Sequence, residues 1–239
     1  VGGGLTGLLA ACALSSLELR ILLIDAGAIF LDQKKKDFRT TAIAEGSKLF
    51  FEELGIWKNI CKHSEKIKMI QVFDRNISRK ISFSNPKNIG NLGYVVKNTK
   101  IKKELINFLK QKKNLRIFQK TPLERIETNQ NDAVVFSNNN KIIAKLLISA
   151  DGKNSFIREI VGTPIFKKKY NHSAFVTNFS HKQNHKNIAH EIFLESGPLA
   201  LLPMQSTNNK TYNTSLIWSN PSNFSNNLLK TNPSLRKKI

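Results

Sequence analysis

The spacing of apolar positions changes several times along the chain, and each change marks an element. After Gly2-Gly3-Gly4, residues Leu5, Leu8, Leu9, Cys12 and Ala13 recur at three- and four-residue spacing, which predicts a helix of about ten residues with those side chains inward. Residues 19–24, apolar except for Arg20, then read as a strand of the kind buried on both faces of a parallel sheet, ending at Asp25. With Val1 read as the last residue of a preceding strand, the segment is a βαβ unit. A second helix is predicted over 47–54, with Leu49, Phe50 and Leu54 on one face and Gly55 as a left-handed stop. Short β-like runs at 70–73, 81–83 and 94–96, separated by Asn, Pro and Gly, predict a small antiparallel sheet.

A third helix is predicted over 99–112, with Ile101, Leu105, Phe108 and Leu109 on its apolar face and lysines outside. Residues 116–118, 133–136 and 142–148 read as strands, with Asn138-Asn139-Asn140 as a tight turn, and the last runs into Asp151-Gly152. Beyond Gly162, alternation returns at 174–179, 191–194 and 214–218, so a second β-rich region fills the C-terminal third. From Asn220 the Ser- and Asn-rich sequence reads as loop, and no internal repeat is present. The expected class is α/β: a Rossmann-like βαβ domain with an inserted, mainly antiparallel β-sheet domain. The boundaries fall at 1–62 with 97–163 for the first, and 63–96 with 164–239 for the second.

Composition narrows the options. With 239 residues, 40% of them hydrophobic, the chain can bury a core. Cys12 and Cys61 form neither a metal-ligand spacing nor a disulfide framework, so no metal site is expected and a reducing cytoplasm fits. No apolar run approaches the roughly 18 residues of a membrane span, and the start at Val1 reads as truncated, not as a secretory signal. The net charge of +21 raises nucleic acid or an anionic membrane as partners. The lysines fall in short clusters (34–36, 102–103, 112–113, 167–169) without a nucleic-acid-binding motif, so no nucleic acid is expected and acidic lipid head groups are the better match.

Chemistry concentrates at few places. Gly2, Gly4 and Gly7 satisfy G-x-G-x-x-G, whose glycines allow a tight turn, close approach of a pyrophosphate, and close helix–strand packing. The phosphate would lie on free helix N-terminal amides. Asp25, eighteen residues after Gly7, is placed to accept hydrogen bonds from an adenosine ribose. The motif marks an adenine dinucleotide site and leaves NAD and FAD open. Arg39, in the segment DFRTTA, is a surface cation or a cofactor ligand; Asp151 and Gly152 stand at a strand's carboxyl end, where α/β sheets bind ligands. His63, His172, His181, His185 and His190 lack a paired carboxylate at catalytic spacing, and no general base is nominated.

The order of VGGGLTG, DFRTTAIAEGSKLFFEELGIW, LGYVVKNTKIKKEL, LISADGKNSFIRE and AHEIFLESGPLALLPM resembles the ubiquinone-biosynthesis branch of the FAD-dependent aromatic hydroxylases, over nearly the whole chain. The resemblance implies a monooxygenase that hydroxylates a polyprenyl phenol through a flavin C4a-hydroperoxide, using NADH, NADPH or another reductant and molecular oxygen. It implies FAD contacts at Gly2, Gly4, Gly7, Asp25, Arg39, Asn98, Asp151 and Gly152, and a substrate-pocket wall at Phe193, Leu199, Leu201 and Pro203. It also implies peripheral contact with an anionic membrane on its cytoplasmic face and with other ubiquinone-biosynthesis proteins. Readings that stay open are a related reductase, a hydroxylase of a soluble aromatic, and a non-enzymatic basic binding protein. Two departures stand out: Glu18 replaces the glycine expected to end the first helix, at about 1 kcal/mol if a left-handed cap is kept, and His172 stands where glutamine is expected. The family's later Gly-Asp motif is not within these residues.

Overall fold

The computed structural model describes residues 1–30, 37–75, 77–85, 90–138, 140–208, 210–224 and 227. The lysine cluster 34–36 and Asn139 of the expected turn lie outside them. In chain order the elements are α1 (Leu5–Leu14), β1 (Ile21–Ile24), β2 (Thr40–Ala44), α2 (Glu45–Glu53), α3 (Trp57–Ile60), β3 (Ser64–Ile67), β4 (Met69–Asp74) and β5 (Ile77–Ser84). There follow β6 (Gly93–Lys97), α4 (Asn98–Leu109), β7 (Leu115–Phe118), β8 (Arg125–Thr128), β9 (Ala133–Ser137), β10 (Asn140–Ala144) and α5 (Phe156–Ile160). The last strands are β11 (His172–His181), β12 (Ile188–Leu194), β13 (Gly197–Asn208) and β14 (Thr211–Pro221). The chain forms two compact units, Val1–Gln33 with Ile101–Lys167, and Lys34–Lys100 with Lys168–Ile239.

In the first unit α1 buries Leu8 and Cys12 completely, and β1 pairs in parallel with β7, Ile21 opposite Leu115. Val1 lies on the other side of this pair: Ala150 N–H donates to Val1 O, the Val1 amine donates to Ile148 O, and Gly2 N–H donates to Ile24 O. Parallel neighbours therefore run from 148–150 through Val1 to β1 and β7, the arrangement a βαβ unit demands. β8, β9 and β10 form an antiparallel meander. The strand expected over 142–148 stops at Ala144, and Leu146 is 73% exposed. Helix α1 ends at Ser15 with right-handed dihedrals, and Glu18 is not in the left-handed region, so the expected strain at that position is not incurred. The Asn114 side-chain amide holds this connection instead, donating toward the carbonyls of Ser15, Leu17 and Leu19.

The second unit contains a six-stranded sheet, ordered β11-β14-β13-β12-β4-β5, and a three-stranded sheet, β2-β6-β3. The larger sheet is antiparallel except between β12 and β4. Ala189 and Met204 of the large sheet form a buried core with Ile67 and Val95 of the small one, extended by Ile70, Leu92 and Leu202. Helix α2 differs from expectation: Leu49 and Phe50 are 54% and 38% exposed while Phe51 is buried, so the helix is rotated relative to the sequence reading. Phe51 and Trp57 lie ring to ring at 6.5 Å, and Trp57 meets Tyr94 edge-on at 4.8 Å, a tethering that decides the rotation. Gly55 has the expected left-handed φ of 72°. Strand β14 continues through Asn220 to Pro221, where sequence alone reads loop.

Candidate functional site

The first unit assembles the glycine turn, Asp25 and Asp151 at the carboxyl edge of its parallel strands. Gly2 has φ 109°, and a Cβ there would overlap the carbonyl of Ala150; a Cβ on Gly7 would overlap the carbonyl of Gly2. Both glycines are therefore required by the protein's own packing. Gly4 is different: it precedes α1 with ordinary dihedrals (φ −73°, ψ 179°), and a Cβ there would meet nothing within 4 Å. Among the described residues no side chain caps α1, so its first-turn N–H groups, which have no intrahelical acceptor, can receive an anion. Open space at Gly4 beside uncapped amides fits a pyrophosphate drawn close to the backbone.

Asp25 secures this turn. Its Oδ2 accepts from Gly3 N–H at 2.5 Å and its Oδ1 from Gly27 N–H at 2.6 Å. A carboxylate offers about four acceptor positions, so capacity for ribose hydroxyls remains after these two bonds. Asp151 is bound still more tightly: Oδ1 accepts from Ser149 Oγ at 2.7 Å and Ser155 Oγ at 2.6 Å, and Oδ2 from Ile157 N–H at 3.2 Å. Burial by itself would raise its pKa, but the Ser155 and Ser149 hydroxyls and the Ile157 amide favour the anion and bring it down to about 2. Ser155 also caps α5 by accepting from Arg158 N–H at 3.0 Å. Gly152 follows with φ 90° and open space around its missing Cβ. Ser149 and Ser155 were not singled out from sequence; their spacing around Asp151, two before and four after, is the signal that was there to read.

In the second unit Arg39 and Asn98 come together across β2 and β6. Asn98 N–H donates to Arg39 O at 3.0 Å, and Asn98 Oδ1 accepts from Thr41 Oγ1 at 2.7 Å. The Arg39 guanidinium forms a fork to Asp37, Nε to Oδ1 at 2.9 Å and Nη2 to Oδ2 at 2.7 Å. This hydrogen bond and charge raise its already high pKa, so Arg39 is a fixed cation. The same segment is tied to the large sheet, with Asn178 Nδ2 donating to Phe38 O at 2.9 Å and Thr40 Oγ1 to Ser215 Oγ at 3.1 Å.

Register divides the four expected pocket residues. Leu194 pairs with Gly197 across a two-residue turn, so Phe193 lies opposite Pro198 and Ile192 opposite Leu199. Because side chains alternate between faces, Leu199, Leu201 and Pro203 share one face, while Phe193 shares the other with Ala189 and Met204. Pro203 is fully buried and Phe193 is 49% exposed. The face bearing Phe193 is the one against which the Phe38–Thr40 segment is bonded, through Asn178 and Ser215.

A parallel βαβ turn built for an anion, with a carboxylate at the next strand's end, defines a dinucleotide-binding α/β protein. The chain belongs to the family described as the FAD binding domain, whose model matches residues 1–232. It is 27% identical to the ubiquinone hydroxylase UbiL of Rhodospirillum rubrum over 231 residues, covering 96% of this chain and 53% of that protein. It is 30% identical to the human mitochondrial ubiquinone biosynthesis monooxygenase COQ6 over 237 residues, covering 91% of this chain and 49% of that protein. The chain thus spans about half the length of the curated relatives it matches. Among solved structures, PqsL of Pseudomonas aeruginosa in complex with 2-aminobenzoylacetate superposes with a TM-score of 0.78 at 12% identity, covering 96% of this chain and 62% of that one. The p-nitrophenol 4-monooxygenase PnpA of Pseudomonas putida has a TM-score of 0.73 at 15% identity, covering 90% of this chain and 55% of that one. At such identities these two establish the fold alone.

Proposed function

We propose that the chain carries part of the cofactor site and one wall of the substrate site of an FAD-dependent monooxygenase that hydroxylates the ring of a polyprenyl phenol in ubiquinone biosynthesis. The observation that carries the proposal is similarity along 96% of the chain to a ubiquinone hydroxylase, joined to a glycine turn whose geometry suits a pyrophosphate. The amides at the start of α1 would hold the FAD phosphates, with Gly4 leaving room for them. Asp25 would accept from the adenosine ribose while its bonds to Gly3 and Gly27 keep the turn closed. Arg39, oriented by Asp37, would face a phosphate or the ribityl chain, with Asn98 beside it. Asp151 and Gly152 would serve less as ligands than as the shaped edge against which the cofactor lies, since three donors of the chain already engage the carboxylate.

FAD, when bound and reduced by NADH, NADPH or another donor, would activate molecular oxygen so that one atom enters the ring and the other leaves as water. The protein's part would be to bind and orient the phenol and to exclude water, because in a wet site the activated oxygen would be released as peroxide before it reached the ring. Among the described residues no helix is long and apolar enough to cross a membrane. The polyprenyl tail and the charge of +21 are matched by peripheral docking on an anionic leaflet on the cytoplasmic side, next to other enzymes of the pathway. Two experiments test the proposal. The product of the complete gene is expected to release FAD on denaturation and to consume oxygen with a polyprenyl phenol and a reductant; a folded protein without FAD would contradict it. Liposome co-sedimentation is expected to rise with acidic lipid content, and indifference to acidic lipid would remove the membrane element.

A further inference from the structure

Across the face of the large sheet that carries Phe193, the register aligns one row of six residues: Ile81, Val72, Glu191, Ala200, Ile217 and Val176. Five are apolar and one is a carboxylic acid. Along its own strand Glu191 has Ala189 and Phe193 as same-face neighbours, so apolar side chains flank it in both directions. Glu191 is half-buried, and among the described residues its side chain has no hydrogen bond or ion pair. The partnered polar groups of this face lie one row away, where Ser215 and Asn178 are bonded to Thr40 and Phe38. Ile217 is two residues beyond Ser215, about 7 Å along the strand, so the Glu191 row is the first beyond the seat of the segment that holds Arg39.

A carboxylate left without partners in an apolar row costs stability unless something else supplies the donor. Burial accordingly raises the Glu191 pKa. Resting on the proposed function, we infer that Glu191 is the polar anchor of the aromatic substrate, accepting a hydrogen bond from the ring hydroxyl while the apolar row receives the ring. Leu199, Leu201 and Pro203 of the GPLALLP segment lie on the opposite face. The parity of the strand, Ala189-Glu191-Phe193, is the signal in the sequence that puts Glu191 on the face of Phe193.

A phenol differs from its methyl ether by the O–H that would donate to Glu191, and a bond to a charged acceptor is a sizeable contribution to discrimination. Isothermal calorimetry on the complete gene product with an alkyl phenol and its O-methyl ether reads this preference whether or not flavin is loaded. The wild type is expected to prefer the phenol by about tenfold or more. Glu191→Ala is expected to lose the preference, and Glu191→Gln, which keeps the shape and a weaker acceptor, to retain part of it. FAD content, measured on the same samples, is expected to be unchanged in both variants. Preference unchanged in both variants, or absent from the wild type, overturns the inference. Absence of FAD from a folded wild type overturns the hydroxylase reading, and the phenol-to-ether ratio still reports on Glu191 by itself.

Discussion

Three carboxylates at the candidate sites are treated oppositely by the fold. In the first unit, Asp25 and Asp151 are enclosed by donors of the chain itself, two backbone amides for the one and two hydroxyls with an amide for the other. In the second unit, Glu191 has no donor among the described residues and lies between Val72 and Ala200. The electrostatic consequence has opposite signs: hydrogen bonds hold the Asp151 pKa near 2, whereas burial lifts that of Glu191. Enclosed carboxylates build the site's shape, and their removal is felt as instability. The unenclosed one is a burden to folding, which makes binding the better explanation of its presence.

Substitutions sharpen this contrast, and the largest effect belongs to the turn that Asp25 encloses. Gly7→Ala drives a methyl group into the carbonyl of Gly2, and a loss of at least about 3 kcal/mol is expected in chemical denaturation, with loss of cofactor. Asp151→Asn weakens the two hydroxyl bonds, loses the one from Ile157 N–H, and is expected to cost about 2 kcal/mol. Because the folded-state pKa of Asp151 lies below its ordinary value of 3.8, its contribution is full above that value and disappears as pH falls through about 2. The difference between wild type and Asp151→Asn should therefore shrink on acidification across that window; a constant difference would show that the carboxylate charge is not what matters.

Gly4→Ala should separate ligand from architecture. With open space around the added methyl, melting is expected to stay near wild type, while FAD affinity falls by about tenfold, or about 1.4 kcal/mol. Unchanged affinity would remove Gly4 from the phosphate site. The smallest effect is a gain: the folded-state pKa of Glu191 is raised, so its ionisation weakens the fold as pH rises through that value. Glu191→Gln is expected to melt about 1–3 °C above wild type at pH 8 and to converge with it below the ordinary carboxylate range. A lower melting point at pH 8 would mean that Glu191 has a stabilising partner.

Much of the first unit could be read directly because its signals are local. The G-x-G-x-x-G turn, the apolar helix and the run ending at Asp25 are contiguous, and the structure places them as a parallel unit beside residues 148–150. Failures arose where tertiary contacts decide. Leu49 and Phe50 satisfied the helical spacing of α2, but the ring contacts of Phe51 and Trp57 fix its rotation. Residues 142–148 looked like one strand, yet pairing with β9 ends at Ala144, and the chain beyond it bonds to Val1 instead. Strand β2, TTAIA, is not among the runs that the sequence marks as strands, because it becomes one only by pairing with β6. In the large sheet the apolar content of β12 and β13 was plain, but which face each residue takes follows from pairing Leu194 with Gly197. That pairing separates Phe193 from Leu199, Leu201 and Pro203 and brings Glu191 into view.

The central claim is that the glycine turn holds FAD against the start of α1, and equilibrium titration of FAD into the complete apoprotein, wild type beside Gly4→Ala, tests it most directly. The account predicts one FAD per wild-type chain, with affinity about tenfold weaker in the variant at unchanged stability. A folded wild type that takes up no FAD, or a Gly4→Ala protein that binds it equally well, would contradict it.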